Sequence, residues 1–241
     1  MELIRYADRR ELLERRYAEI SIRTFPEYMH HNPPGAKWWD RLYADHPDFQ
    51  VALVEGDRIL AEGHSVPVAW DGTLDDLPEG WDAGFERAMT SDRPSTSVMA
   101  LAISVLPERQ GERLSSQMIE AFKDAGRRHG LTDLIAPVRP TLKERYPLMP
   151  IERYIEWRRD DRLHVDPWIR IHERLGGRII APAPRSMFLQ APVADWEEWT
   201  EMRFPFDGDY TFPGALAPLV VKGGIGTHVE PNVWLHHRIE R

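Results

Sequence analysis

Cysteine is absent from the 241 residues, and that gap removes disulfide scaffolds, thiolate metal sites and a cysteine nucleophile together. It also gives no reason to expect an oxidising compartment. Long apolar runs are missing too. The longest, such as Ile179–Pro182 and Leu216–Val221, fall far below the roughly 20 residues that a membrane-spanning helix needs. The opening Met1-Glu2-Leu3-Ile4-Arg5 has no apolar signal core, so the cytoplasm is the default expectation, with no membrane partner. Positive charge is also short: 31 Lys and Arg face 39 Asp and Glu, and the resulting net charge of −8 argues against wholesale binding to nucleic acid.

The composition is that of a globular chain, and nine Trp with 20 Pro point to aromatic packing joined by stiff, irregular connections. Leu3–Tyr6 can open a strand, and Arg9–Arg23 has the apolar spacing of a helix ended by Pro26. Asn32-Pro33-Pro34-Gly35 is read as a breaker before a short helix over Lys37–Ala44. Phe49–Glu55 and Arg58–Ala69 alternate like two strands turned at Gly56-Asp57. Asp71–Pro94 is a long polar loop with a short helix around Trp81–Met89.

Val98–Val105 is a β-rich apolar run stopped by Pro107. Leu114, Met118, Ala121, Phe122 and Ala125 then form one helical stripe closed by Gly130, and Asp133–Val138 is a second buried strand. Short turns are expected up to Arg162. Asp166-Pro167 opens a helix over Trp168–Leu175, stopped by Gly176-Gly177. Arg178–Ala181, Ser186–Gln190 and Val233–Ile239 are strand candidates, with a helical turn at Asp195–Met202. The whole reads as one α/β (α+β) domain over residues 1–241.

The segment most able to carry chemistry is Gln110-Gly111-Glu112-Arg113-Leu114-Ser115, between a buried strand and an amphipathic helix. Unpaired N–H groups and the positive dipole end of a helix suit a pyrophosphate. Gly111 permits close backbone approach, Ser115 and Ser116 offer hydroxyls, and Gln110 and Arg113 supply side-chain donors.

Here the chain resembles the GNAT superfamily of acyl-CoA-dependent N-acyltransferases. Val105, Pro107, Gln110 and Gly111 match that family's cofactor loop, while Arg113 stands where its motif has Gly and Ser115 where it has Gly or Ala. Ile171-His172-Glu173-Arg174-Leu175-Gly176 looks like the family's aromatic-Tyr-Glu-Lys-Leu-Gly ending, with His172 in place of Tyr. The resemblance covers about residues 3–190, with the region from about 191 to 241 an extension that completes the sheet.

The resemblance implies a mixed central sheet flanked by helices, with splayed parallel strands forming a wedge for acetyl-CoA or another acyl-CoA. Ile103 and Val105 would take the pantetheine arm, and Gln110 to Ser116, Glu112 and Leu114 included, the pyrophosphate. The acceptor, a small-molecule amine, would attack the thioester directly. His172 would be the acid for the departing thiolate, or an ordinary helical histidine. Glu62 and His64, on one face of the hairpin strand, are candidate bases, and Trp81 and Asp82 candidate acceptor contacts. No metal is expected, because His30-His31 and His236-His237 have no carboxylate at ligand spacing. Two rivals stand beside acetyl transfer: a degenerate fold that only binds acyl-CoA or a protein, and an amide-forming enzyme using a longer acyl-CoA or a carrier thioester. The acceptor's identity stays open, as does oligomeric state, a homodimer included.

Overall fold

A computed structural model describes residues 1–240. Strand β1 (Glu2–Arg5) is followed by short helices α1 (Arg10–Leu13), α2 (Arg16–Glu19), α3 (Pro33–Trp38) and α4 (Leu42–Asp45). The hairpin β2 (Gln50–Glu55) and β3 (Arg58–Val68) comes next, then α5 (Trp81–Thr90), β4 (Ser97–Val105), α6 (Leu114–Arg128) and β5 (Asp133–Val138). The remainder is α7 (Ile151–Tyr154), α8 (Pro167–Arg174), β6 (Arg178–Pro192), α9 (Val193–Thr200), β7 (Gly208–Tyr210), β8 (Leu219–Lys222) and β9 (Ile225–Arg238). No helix among the described residues is long and apolar enough to cross a membrane.

Two local expectations are corrected. The helix over Arg9–Arg23 is broken into α1, α2 and a 3₁₀ turn at Ser21–Arg23. The break brings Arg16 and Ser21 onto the buried Glu62, so a tertiary contact overrides the helical period. Asn32-Pro33-Pro34-Gly35 starts a helix instead of breaking one. The Asn32 side chain caps α3 by accepting the Gly35 N–H at 3.1 Å, with Pro33 at the first helical position, where its missing N–H costs nothing.

One mixed sheet runs β1-β2-β3-β4-β5-β9-β8-β7, with β6 along the other edge of β9. Every pair is antiparallel except β4 with β5. The segment after Pro192 is more than an extension: the 14-residue β9 lies between β5 and β6 and also carries β8. The strands expected at Arg178–Ala181 and Ser186–Gln190 are one strand, β6, whose register slips between Ala183 and Met187. Alternation along the strands sorts the core. Val98 and Leu134 pack with α6 through Met118 and Phe122, and Met99 and Ile135 pack with Trp81 and Phe85 of α5. Gly63 is required beneath α6, since a Cβ there would meet Phe122 at 2.8 Å.

A third core, around Trp196 of α9, Tyr28 and Phe212, belongs to the C-terminal part. Beside it Arg139 donates from Nε to Glu230 Oε1 at 2.8 Å, and Tyr28 OH donates to Glu230 Oε2 at 2.5 Å. Burial opposes ionisation of Glu230, but Arg139, His228 and Tyr28 outweigh it and hold its pKa down to about 2. A depressed carboxylate pKa contributes stability that is complete above the unfolded value and is lost as pH falls towards the folded one. Glu230→Gln, which leaves Arg139 without its counter-charge, should therefore cost about 3–5 kcal/mol at pH 7. In urea unfolding over a pH series, the gap from the native chain should narrow as pH falls from about 4.5 towards 2.

Candidate active site

Pairing between β4 and β5 lasts for three residues, Ser97 with Asp133, Val98 with Leu134 and Met99 with Ile135, and then stops. The cause lies on the other edge of β4. Ser65 of β3 faces Ala100 and His64 faces Ala102, so Leu101 is an extra residue, a bulge that adds twist and turns β4 out of line with β5. The Leu101 carbonyl, freed by the bulge, accepts the Trp81 indole N–H at 2.8 Å. Pro137 in β5 has no N–H with which to rebuild a ladder. Beyond the bulge, Ala100–Val105 and Ala136–Val138 line a cavity of about 890 Å³.

At the mouth of this cavity the chain leaves β4 through a 3₁₀ turn at Pro107–Arg109 and enters α6. Gly111 has φ +89°, and Arg113, the residue before α6, has φ +60° and ψ +22°. Arg113 thus adopts the left-handed conformation of a glycine and keeps the backbone path that a glycine would give. The residue is exposed and stands on the cavity wall. Among the described residues, none of the amides from Gly111 to Ser116 meets a backbone or side-chain acceptor, so a row of N–H groups is free at the positive end of α6.

Gln110, Gly111, Arg113, Leu114 and Ser115 line the cavity, as do Ile103 and Val105. The Leu114 side chain is in the core, so only its backbone can serve. Glu112 and Ser116 do not line it. Glu112 is turned to Arg109, which donates to it at 2.7 Å, and Ser116 lies one step beyond Ser115 on α6. Asp82 is also off the cavity wall. Its carboxylate accepts from Asn32 Nδ2 at 3.0 Å and from the Phe188 N–H at 2.8 Å, tying α5 to β6, and burial raises its pKa to about 6. Trp81 does line the cavity, with its N–H already committed to Leu101.

Glu62 and His64 meet the inner end, both 1% exposed. Glu62 accepts from Ser21 Oγ at 2.7 Å and Tyr6 OH at 2.8 Å, with Arg16 at 3.6 Å. Burial opposes its charge, yet its polar surroundings, with His64 and Arg16 foremost, hold its pKa down to about 2. Burial pushes the His64 pKa below its ordinary value. His172, on α8, also lines the cavity. Its Nδ1 lies 2.9 Å from His237 Nε2, and its own Nε2 is buried without a partner. Burial, then His237 and Lys123, push its pKa far below the usual range, so the ring is neutral at pH 7. Arg16, Ser21, Asn32 and Arg139, which sequence patterns did not single out, share the wall. Only tertiary contacts bring them there.

No family model matches the sequence. The chain is 29% identical over 250 aligned positions, 89% of its own length and 85% of the relative's, to the arginine N-acetyltransferase avaD of Aspergillus versicolor. The crystal structure of the loading GNATL domain of CurA from Lyngbya majuscula superposes with a TM-score of 0.63 at 18% identity, covering 99% of this chain and 97% of that one. A GNAT-like decarboxylase, GphF, solved with isobutyryl-CoA, gives 0.60 at 14% identity over 100% of both chains. The chain thus shares the GNAT fold of these two structures and is similar over most of its length to an N-acetyltransferase.

The loop before α6 stands at the mouth of the space between the splayed strands. Its unusual feature is Arg113, a non-glycine residue held at positive φ, which costs about 1–2 kcal/mol. Arg113→Gly should raise stability by roughly 0.5–1 kcal/mol, since Gly also loses more backbone entropy on folding. Gly111→Ala, which puts a Cβ at φ +89°, should lower it by a similar amount. Thermal unfolding of the two variants checks the opposite signs.

Proposed function

We propose that this protein transfers an acetyl group from acetyl-CoA to a small-molecule amine by direct attack in a ternary complex. The observation that carries this reading is one cavity joining free α6 amides at its mouth to a buried Glu62–His64 pair at its inner end. The amides of Gly111 and Arg113 to Ser115, with the Gln110 and Arg113 side chains, hold the pyrophosphate. Ile103 and Val105, on the part of β4 that β5 has left, hydrogen-bond the pantetheine arm through their backbone. Bound there, the thioester supplies an activated acyl carbon, and the cavity walls fix the angle at which the amine meets it.

The amine arrives as an ammonium and must lose a proton before it attacks. Glu62 and His64 are the groups placed for that step. Departure of the thiolate needs a donor, and His172 Nε2 is the unpartnered nitrogen placed for it. A neutral imidazole serves by donating an N–H to sulfur. Arginine, for which the Aspergillus versicolor relative is named, is the first acceptor to try. A second reading, a longer acyl group, is favoured by the size of the cavity, and chain-length dependence of turnover separates the two.

Calorimetric titration with acetyl-CoA, followed by thiol release against a panel of amines headed by arginine, tests the proposal. Binding together with amine-dependent thiol release is the expected result, and no binding at millimolar acetyl-CoA would overturn it. His172→Phe should lower turnover by about 10²-fold with little change in acetyl-CoA affinity. Undiminished turnover would make His172 a packing residue.

A further inference from the structure

Gln50 opens β2 with no exposed surface, and two carbonyls orient its amide. Its Nε2 donates to His46 O at 3.0 Å and to Ser65 O at 2.9 Å. Both amide protons are thereby placed, so the atom 3.1 Å from His64 Nδ1 is Oε1, which can only accept. His64 Nδ1 therefore carries a proton whatever the charge on the ring. The other ring nitrogen, Nε2, is buried with no hydrogen-bond partner and lies 3.4 Å from Glu62 Oε2. In the neutral ring this sets a lone pair against a carboxylate. The contact becomes an attraction only when a proton sits on Nε2.

We propose that Gln50 is a positioning residue that fixes His64 as its Nδ1–H tautomer, so that Nε2, faced by Glu62, takes the proton from the acceptor's ammonium. This rests on the acyl-transfer reading. In the step, an N–H bond of the ammonium breaks and its electron pair stays on the nitrogen that attacks the acyl carbon. The proton bonds to the Nε2 lone pair, and the resulting imidazolium faces the Glu62 carboxylate.

The groups around His64 fit this role. Tyr6, just after β1, stacks on its ring at 6.1 Å, and Tyr43 of α4 and Trp39 meet it edge-on at 5.8 and 5.0 Å. Arg16 of α2, whose guanidinium lies over the Tyr43 ring, is the neighbouring cation and Glu62 the neighbouring anion. Burial and Arg16 disfavour the imidazolium, while Glu62 favours it. The net shift is downward, so the ring is neutral and able to accept at pH 7. Turnover should rise as pH rises through a value below the usual histidine one.

Nitrogen-15 NMR of the whole protein, labelled at histidine, tests the tautomer. The His64 signals are those lost in His64→Gln and displaced in Gln50→Met. The expected result at pH 8 is a protonated Nδ1 and a bare Nε2. A protonated Nε2 with a bare Nδ1 would overturn the proposal. In kinetics, Gln50→Met should lower kcat at least about tenfold with an unchanged KM for acetyl-CoA. Glu62→Gln, which removes the charge facing Nε2, should move the acid limb of kcat to lower pH. A limb that stays in place would also count against the role of Nε2. The tautomer measurement needs no turnover, so an inactive but correctly protonated protein would refute acyl transfer and leave the assignment of Gln50 standing.

Discussion

Three residue pairs hold β4 to β5, and the extra residue at Leu101 then turns the two strands apart. The rest of the site depends on that single change of register. Without the bulge, backbone ladder bonds would fill the space that is now a cavity, and the amides at the start of α6 would overlook a closed sheet. The opening also needs a support, because the bulged carbonyl is buried and has to be paired. Trp81 provides it through its indole N–H, which explains why a long irregular loop ends in a helix with a tryptophan at its first position.

The chain contains nearly the same polar arrangement twice. Glu62 is accompanied by Tyr6, Arg16 and His64, and Glu230 by Tyr28, Arg139 and His228; in each case the histidine lies two residues away on the same strand, with its Nε2 unpartnered. What separates them is the space they face. Glu62 and His64 border the large cavity, whereas Tyr28, His228 and Glu230 surround a void of about 10 Å³. The second cluster joins the residue after β5, β9 and the segment before α3, and of its four groups Arg139 alone reaches the large cavity. Nearly the same set of groups therefore borders open space in one place and tight packing in the other.

Much of this was legible in the residues. The Gly56-Asp57 hairpin, the Val98–Val105 strand, the α6 stripe and the Asp166-Pro167 helix start are local patterns, and local patterns are what periodicity and capping rules read. The loop before α6 was found the same way. The α1–α2 break and the course of β9 were not legible, because Arg16, Ser21 and the register of β5 with β9 are fixed by partners far away in sequence. Asp82 misled for a related reason: an acid beside a tryptophan in a polar loop looks free until Asn32 and Phe188 are seen to hold it. His172 was singled out by its place in a motif, but its neutrality follows from burial and from His237, which no motif carries.

The position of β9 has a consequence for how the chain is made. It is the strand between β5 and β6, yet it follows every other described strand in chain order. Until residues 225–238 have been translated, Leu134–Val138 and Ile179–Ala183 present two unpaired apolar edges that cannot close on one another. Such edges are templates for pairing with another chain. Placing β9 therefore closes both edges in one step, and a chain in which it is not yet paired carries two sites open to other chains.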